Sequence, residues 1–214
     1  MHWGLFLSFL FTSVSTIQIN LLPIVSVTTK NNARDKMQKT IGLAINFIGF
    51  QIGWFVCVIG AAKGLPVVSV VCALLIVAYH LYRSHSITEL YIVMVAMLIG
   101  FVWESLLVAS GWLSYSNSGD TELFAPLWLV AMWALFATTI NLSMAWLKGR
   151  WALAALMGAI FGPLAFVAGE KLGAVTFLNQ PVALTALALG WALLMPLLLR
   201  LADQFENCFK PMES

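Results

Sequence analysis

Charged residues are what this chain has least of. Asp, Glu, Lys and Arg make up 9% of its 214 residues, against roughly a quarter in soluble domains. An ordinary water-facing surface is thereby excluded. Segments of about 10 residues with alternating apolar and polar character, which build transmembrane barrels, are also missing. The net charge of +2 comes with no basic tract larger than a juxtamembrane cluster, which argues against a nucleic-acid partner. There are three cysteines, Cys57, Cys72 and Cys208, an odd number with no metal-ligand spacing. Cys57 and Cys72 lie in apolar segments and read as small packing residues. His80 and His85 flank a helix end at a spacing that does not put them on one face, so no metal site is expected. A Gly-rich phosphate loop, a Ser-His-Asp set and a nucleotide fingerprint are absent as well, and no cofactor is implied.

What is present is apolar. Hydrophobic residues account for 61% of the chain, and the mean hydropathy is +0.93. They fall in blocks of about 20, the length that crosses a hydrocarbon core of about 30 Å. The expected fold is all-α, a polytopic membrane helix bundle with six core transmembrane helices. The six segments are Ile41 to Ala62, Pro66 to Tyr82-Arg83, Glu89 to Ala109, Pro126 to Leu147, Trp151 to Gly169 and Pro181 to Leu199. Short connections make sequential helices antiparallel neighbours, so residues 41–200 read as one domain. Residues 201–214 form a polar tail. Small residues recur every four positions at Gly49 and Gly53, at Ala154, Gly158 and Gly162, and at Ala165, Gly169 and Gly173. Such spacing allows close helix packing in lipid. Pro163 should kink the fifth segment.

Residues 1–36 form an N-terminal extension. Residues 3–29 are apolar but broken by Gln18, Asn20 and Pro23, and lack a basic n-region and a clean small-x-small cleavage site. A cleaved signal peptide is therefore not expected. The alternatives are an additional N-terminal helix, an interfacial segment, or an over-long start upstream of Met37. Orientation follows from the basic residues. With residues 30–40 in the cytoplasm, Lys30, Arg34, Lys36, Lys39, Arg83, Lys148, Arg150, Arg200 and Lys210 all lie on that side, leaving only Lys63 and Lys171 outside. The expected location is the bacterial inner membrane with a cytoplasmic C-terminus.

Polar residues inside the apolar blocks carry the functional signal. Asn46 and Asn141 lie at matching depths and are expected to form an interhelical amide pair. Thr138 and Thr139 can bond back to carbonyls of their own helix. Glu104 is the costly residue, a carboxyl in the outer half of the third helix with no Lys or Arg at its depth. Burial without a cation favours its neutral form, a candidate proton donor to an apolar substrate. Around it the sequence places Gln51, Trp54, Trp103, Trp128, Trp133, Tyr115 and Glu170 as candidate substrate-binding residues. The alternative is a neutral Glu104 bonded to Gln51, an indole or a backbone carbonyl.

Two resemblances add to this reading. N-F-I-G-F-Q-I-G-W-F from Asn46, the pair Trp103-Glu104, P-L-W-L-V-A-M-W-A-L-F-A-T-T-I-N from Pro126, and G-P-L-A-F-V-A-G-E-K-L-G from Gly162 together resemble a small family of bacterial inner-membrane proteins of unknown function. Members are often encoded near cyclopropane fatty-acyl phospholipid synthase-like enzymes and flavin-dependent oxidases. The resemblance covers about Ile41 to Arg200 and implies a role in membrane lipid modification. More locally, E-S-L-L-V-A-S-G-W-L-S-Y followed by P-L-W-L-V-A-M-W is similar in layout to membrane-embedded carotenoid hydratases. That likeness implies Glu104, Gly111, Tyr115, Pro126 and Trp133 as matching positions, with Glu104 protonating an alkene and aromatic faces stabilising positive charge. The Pro-Phe-Gly stretch of that family is absent.

Two principal functions follow. One is an enzyme or enzyme subunit acting on a lipid or isoprenoid chain, its partners being membrane lipids. The other is an accessory protein that docks a soluble lipid-modifying enzyme through Lys148, Arg150, Arg200 and the tail. A small transporter ranks behind both, because the two three-helix halves show no inverted repeat.

Overall fold

The computed structural model describes residues 27–116 and 123–209. Their elements are α1 (Val27–Ala62), α2 (Pro66–Ser84), α3 (Ile87–Ala109), β1 (Leu113–Tyr115), α4 (Leu127–Ile140), a 3-10 turn (Ala145–Leu147), α5 (Trp151–Lys171), β2 (Val175–Phe177) and α6 (Gln180–Phe209). The chain divides into two compact units, Met1–Thr40 and Ile41–Ser214. The described part of the first, residues 27–40, is helical, and Thr40 Oγ1 donates to the Lys36 carbonyl one turn back. The additional N-terminal helix considered for residues 1–36 falls largely outside the described residues.

The all-α bundle expected from the apolar blocks is the fold found. Five helices are long and apolar enough to cross a membrane: Lys36–Ala62 within α1, then α2, α3, α5 and α6. Helical backbone bonds mostly within its own segment, as hydrocarbon requires, apart from the turns at Pro163 and Pro196, whose nitrogens cannot donate. Large apolar side chains such as Ile45, Ile52, Val67, Leu75, Leu98 and Leu193 stand exposed on their outer faces. In water such surface is a liability; in a bilayer it is the solvent-matched side. This is a multipass membrane protein.

The fourth segment departs from expectation. Instead of running from Pro126 to Leu147, α4 stops at Ile140 after 14 residues. Ten of those are buried, among them Trp128, Leu129, Trp133, Leu135 and Ile140. The short helix is thus enclosed by protein, and it packs against α2, α3 and α6. Near its end Thr138 and Thr139 donate their hydroxyls to the carbonyls of Leu135 and Phe136 at 2.7 and 2.6 Å. Asn141 and Ser143 then turn to other elements, consistent with the competition such side chains offer to helical backbone.

That break also corrects the expected amide pair. Asn46 and Asn141 do not bond each other. Asn46 Nδ2 donates to the Thr138 carbonyl at 3.0 Å, and the Ser143 hydroxyl donates to Asn46 Oδ1. Asn141 Nδ2 instead donates to Glu89 at 2.9 Å. Both amides link helices, but matching depth left their direction around the helix axis open.

The small residues act largely as expected. A Cβ on Gly53 would meet Leu135 at 2.4 Å, and one on Gly158 would meet the Trp191 carbonyl at 2.2 Å, whereas Gly49 has nothing within 4 Å. α5 remains a single helix through Pro163. Beyond Leu199, the expected tail is helical to Phe209. Ala202 is buried there, and Phe205 and Phe209 pack on Tyr91 with ring centroids 6.0 and 4.8 Å away. The recurrence of apolar residues at Leu198, Ala202, Phe205 and Phe209 is a helical stripe that continues past the membrane segment.

Between the helices two short strands pair. β1 and β2 are antiparallel, with Leu113 opposite Phe177, Ser114 opposite Thr176 and Tyr115 opposite Val175. Gly111 and Gly173, at φ +69° and +85°, turn the chain out of α3 and α5 into these strands, a conformation glycine adopts at little cost.

Candidate functional site

Glu104 reaches the interior because of its place on α3. The buried residues Ile92, Val93, Ala96, Gly100, Glu104 and Leu107 recur at three- and four-residue steps, one face of a helix. Glu104 is 1% exposed. Two donors meet its carboxyl. The Tyr115 hydroxyl donates to Oε2 at 2.5 Å, and the Trp133 indole Nε1 donates to Oε1 at 3.0 Å. Among the described residues no cation pairs with it; the ion pairs are His80–Glu89, Lys148–Asp203 and Lys148–Glu206.

Each donor is positioned by a distinct local device. Gly100 lies one turn before Glu104, and a Cβ there would stand 2.2 Å from the Trp133 ring. Only glycine lets that indole lie against α3 and reach the carboxyl. Tyr115 is set by the strand pair. Strand alternation buries Leu113 and Tyr115 and leaves Ser114 less covered. The ladder is closed at its ends by the Ser116 amide on the Ala174 carbonyl and by the Leu178 and Asn179 amides on the Trp112 carbonyl. Burial first, and the adjoining Glu104 carboxyl next, hold the Tyr115 hydroxyl well above the usual tyrosine value.

An aromatic wall surrounds the three groups. Trp128 stands edge-on to Tyr115, with ring centroids 6.0 Å apart, and donates its Nε1 to the Ser116 carbonyl at 3.1 Å. Phe166 lies tilted against Tyr115, and Trp191 stacks on Trp133 at 5.1 Å and 15°. A Cβ on Gly190 would meet the Trp103 ring at 2.2 Å, and one on Gly162 would meet Trp191 at 2.4 Å. Glycines on α3, α5 and α6 thus seat three indoles.

Of the residues singled out from sequence, Glu104, Tyr115 and Trp133 bond directly, and Trp103 and Trp128 belong to the wall. Trp54 is half-buried, packed against the same apolar cluster as Tyr115 and edge-on to Phe55. Gln51 and Glu170 are half-buried, and neither hydrogen-bonds Glu104. Gly111 forms the turn after α3, and the Pro126 carbonyl accepts the Leu129 and Val130 amides at the start of α4. Phe166 and the seating glycines Gly100 and Gly190 escaped sequence reasoning. Gly100 carried a faint signal, a helix-interior glycine one turn from the acid.

A second buried carboxyl was also missed. Glu89, in the first turn of α3, bonds His80 Nε2 at 2.8 Å and Asn141 Nδ2 at 2.9 Å. Elsewhere, at the start of α6, an apolar groove of about 390 Å³ is lined by Trp112, Pro181, Val182, Thr185, Ala186 and Leu189. Trp112 and Ala186 back onto the apolar cluster that holds Tyr115.

Fold and site together define a polytopic α-helical membrane protein with a carboxyl, a phenol and an indole sealed into one aromatic cluster. The chain belongs to the family described as Protein of unknown function (DUF2878), whose model matches residues 43–197. No curated protein and no solved structure matches it.

Proposed function

We propose that this is an inner-membrane protein that modifies a membrane lipid or isoprenoid chain, with Glu104 as the proton donor. The observation that carries the reading is the pair of donors on Glu104. A carboxyl that gives its proton to an alkene carbon becomes an anion, while the alkene's π electrons form the new C–H bond and leave a cation. Tyr115 and Trp133 already aim an O–H and an N–H at the two oxygens that would bear the negative charge. Such preorganised donors lower the cost of charge that develops during reaction. The faces of Trp133, Trp191 and Trp128 are suited to the positive centre. Access comes sideways from the bilayer, through the groove beside Trp112, and requires a side chain of the wall to turn aside.

The charge bias of the loops supports a cytoplasmic C-terminus, with the Glu104 site in the half of the bilayer away from the cytoplasm. The docking alternative is less well supported. Lys148 is engaged by Asp203 and Glu206 at 3.2 and 2.7 Å, and Arg200 lies over the Trp151 ring at 4.9 Å. Two of the three basic groups that a soluble enzyme would use are therefore held within the chain.

The test is lipid analysis of cells carrying Glu104→Gln in place of the natural chain. The variant is expected to reproduce the lipid profile of cells lacking the gene. An unchanged profile at normal protein level would overturn the reading.

A further inference from the structure

Among the described residues, two buried donors in the same cluster have no acceptor. The indole Nε1 atoms of Trp103 and Trp191 are enclosed and make no hydrogen bond to any of these residues. Trp133, whose ring stacks on Trp191, spends its own N–H on Glu104. The two rings belong to one neighbourhood. Trp191 stacks on Trp133, while Trp103 adjoins Glu104 in sequence and packs on Gly190, the chain neighbour of Trp191. Buried polar groups are nearly always paired, and each exception calls for an explanation. Within a bilayer the need is sharper, because lipid tails offer an N–H nothing to bond.

We infer that the Glu104 site takes an amphiphile with an acceptor oxygen, a carbonyl or hydroxyl on a long hydrocarbon chain, held by the Trp103 and Trp191 N–H groups. This rests on the reading of Glu104 as a site that meets lipid chains, and it narrows the substrate class. A bare hydrocarbon such as a simple polyene would leave both donors unmet. Sites built to bond an oxygen reject analogues that lack it, since the site's own polar groups are then left unpaired. An oxygen anchored beside Trp133 also fixes the register of the chain, so that one carbon rather than any carbon lies near the carboxyl.

The full chain, with its nine tryptophans labelled with ¹⁵N and held in dodecylphosphocholine micelles, provides the test. Methyl oleate and 9-octadecene are added in parallel, and the indole N–H resonances are followed. Methyl oleate is expected to move two of the nine indole protons downfield and 9-octadecene none. Trp103→Phe and Trp191→Phe should each remove one responding resonance and weaken methyl oleate binding about 2- to 10-fold, the worth of one neutral hydrogen bond. Binding of 9-octadecene should not change. If either variant fails to fold, the two-resonance response of the natural chain still decides. An equal response to both probes, or none to methyl oleate, would overturn the inference, a buried water then being the partner of these donors. Repeating the titration on Glu104→Gln separates the two claims. Moving resonances with an unchanged lipid profile would sink the proton-donor reading alone, whereas silent resonances with an altered profile would sink the acceptor-oxygen inference alone.

Discussion

Glu89 and Glu104 are two buried carboxyls on one helix, fifteen positions and about 22 Å apart along its axis, and their surroundings are opposite. Glu89 sits in the first turn of α3, where the helix end carries partial positive charge. It adds a His80 nitrogen and an Asn141 amide at 2.8 and 2.9 Å. These bonds tie the start of α3 to α2 and to the C-terminal end of α4. Glu104 lies in the second half of α3, and its partners are a phenol and an indole within an aromatic wall. Between the two, the buried face of α3 is Ile92, Val93, Ala96 and Gly100, with no polar step. The helix therefore carries two separate devices rather than one proton path. Burial makes both carboxyls costly; their donors and their places on the helix set them apart.

The strongest way to break this comparison is truncation of each acid. Glu104→Ala strands two buried donors, each costing about 1–3 kcal/mol, and adds a cavity. Thermal unfolding in detergent should show it as the most destabilising change on α3. Glu89→Ala should cost less, because its donors His80 and Asn141 are half-buried, whereas Tyr115 and Trp133 are buried. Equal losses would mean that both acids are structural locks. Next in size is Gly100→Ala. With a Cβ 2.2 Å from the Trp133 ring, overpacking should cost about 1–3 kcal/mol, and the same cells should show the altered lipid profile of Glu104→Gln. Normal lipids from a folded Gly100→Ala protein would detach Trp133 from the chemistry.

Tyr115→Phe removes the hydroxyl bonded to Glu104 and leaves a buried carboxyl oxygen unmet, which should cost about 1–3 kcal/mol. It also alters alkaline behaviour. The folded hydroxyl titrates well above the ordinary tyrosine value, so above about pH 10 the unfolded chain binds fewer protons than the native one and stability falls as pH rises. The phenylalanine variant should lack that component, seen as a shallower loss of melting temperature at high pH. The smallest effect is expected from Lys148→Ala. Its partners Asp203 and Glu206 are 34% and 47% exposed, and such pairs contribute about 0–1 kcal/mol. A loss above that range would make Lys148 a structural tie between the start of α5 and the end of α6 rather than a surface charge.

Much of the bundle was legible. The ends of α2, α3 and α5 follow the apolar blocks and their flanking residues closely, because each block must both span lipid and close its own hydrogen bonds. The burial of Glu104 was readable from its apolar neighbours. Glu89 was not, since an acid at a helix start next to a polar turn looks like a solvated cap. The pairing of Asn46 with Asn141 was misjudged because depth along two helices says nothing of their rotation. The shortness of α4 was hidden by its composition, which matches a full span, while its surroundings on three sides are protein.

Length, hydropathy and the scarcity of charge by themselves determined a multipass helical membrane protein with one expensive carboxyl, since these properties are set block by block along the chain. Only the tertiary structure decided what that carboxyl meets. Tyr115 reaches it through a strand pair joining residues 113–115 to 175–177, and Trp133 through a glycine on the facing helix. Neither contact has a local signature, because each depends on two distant segments packing against each other.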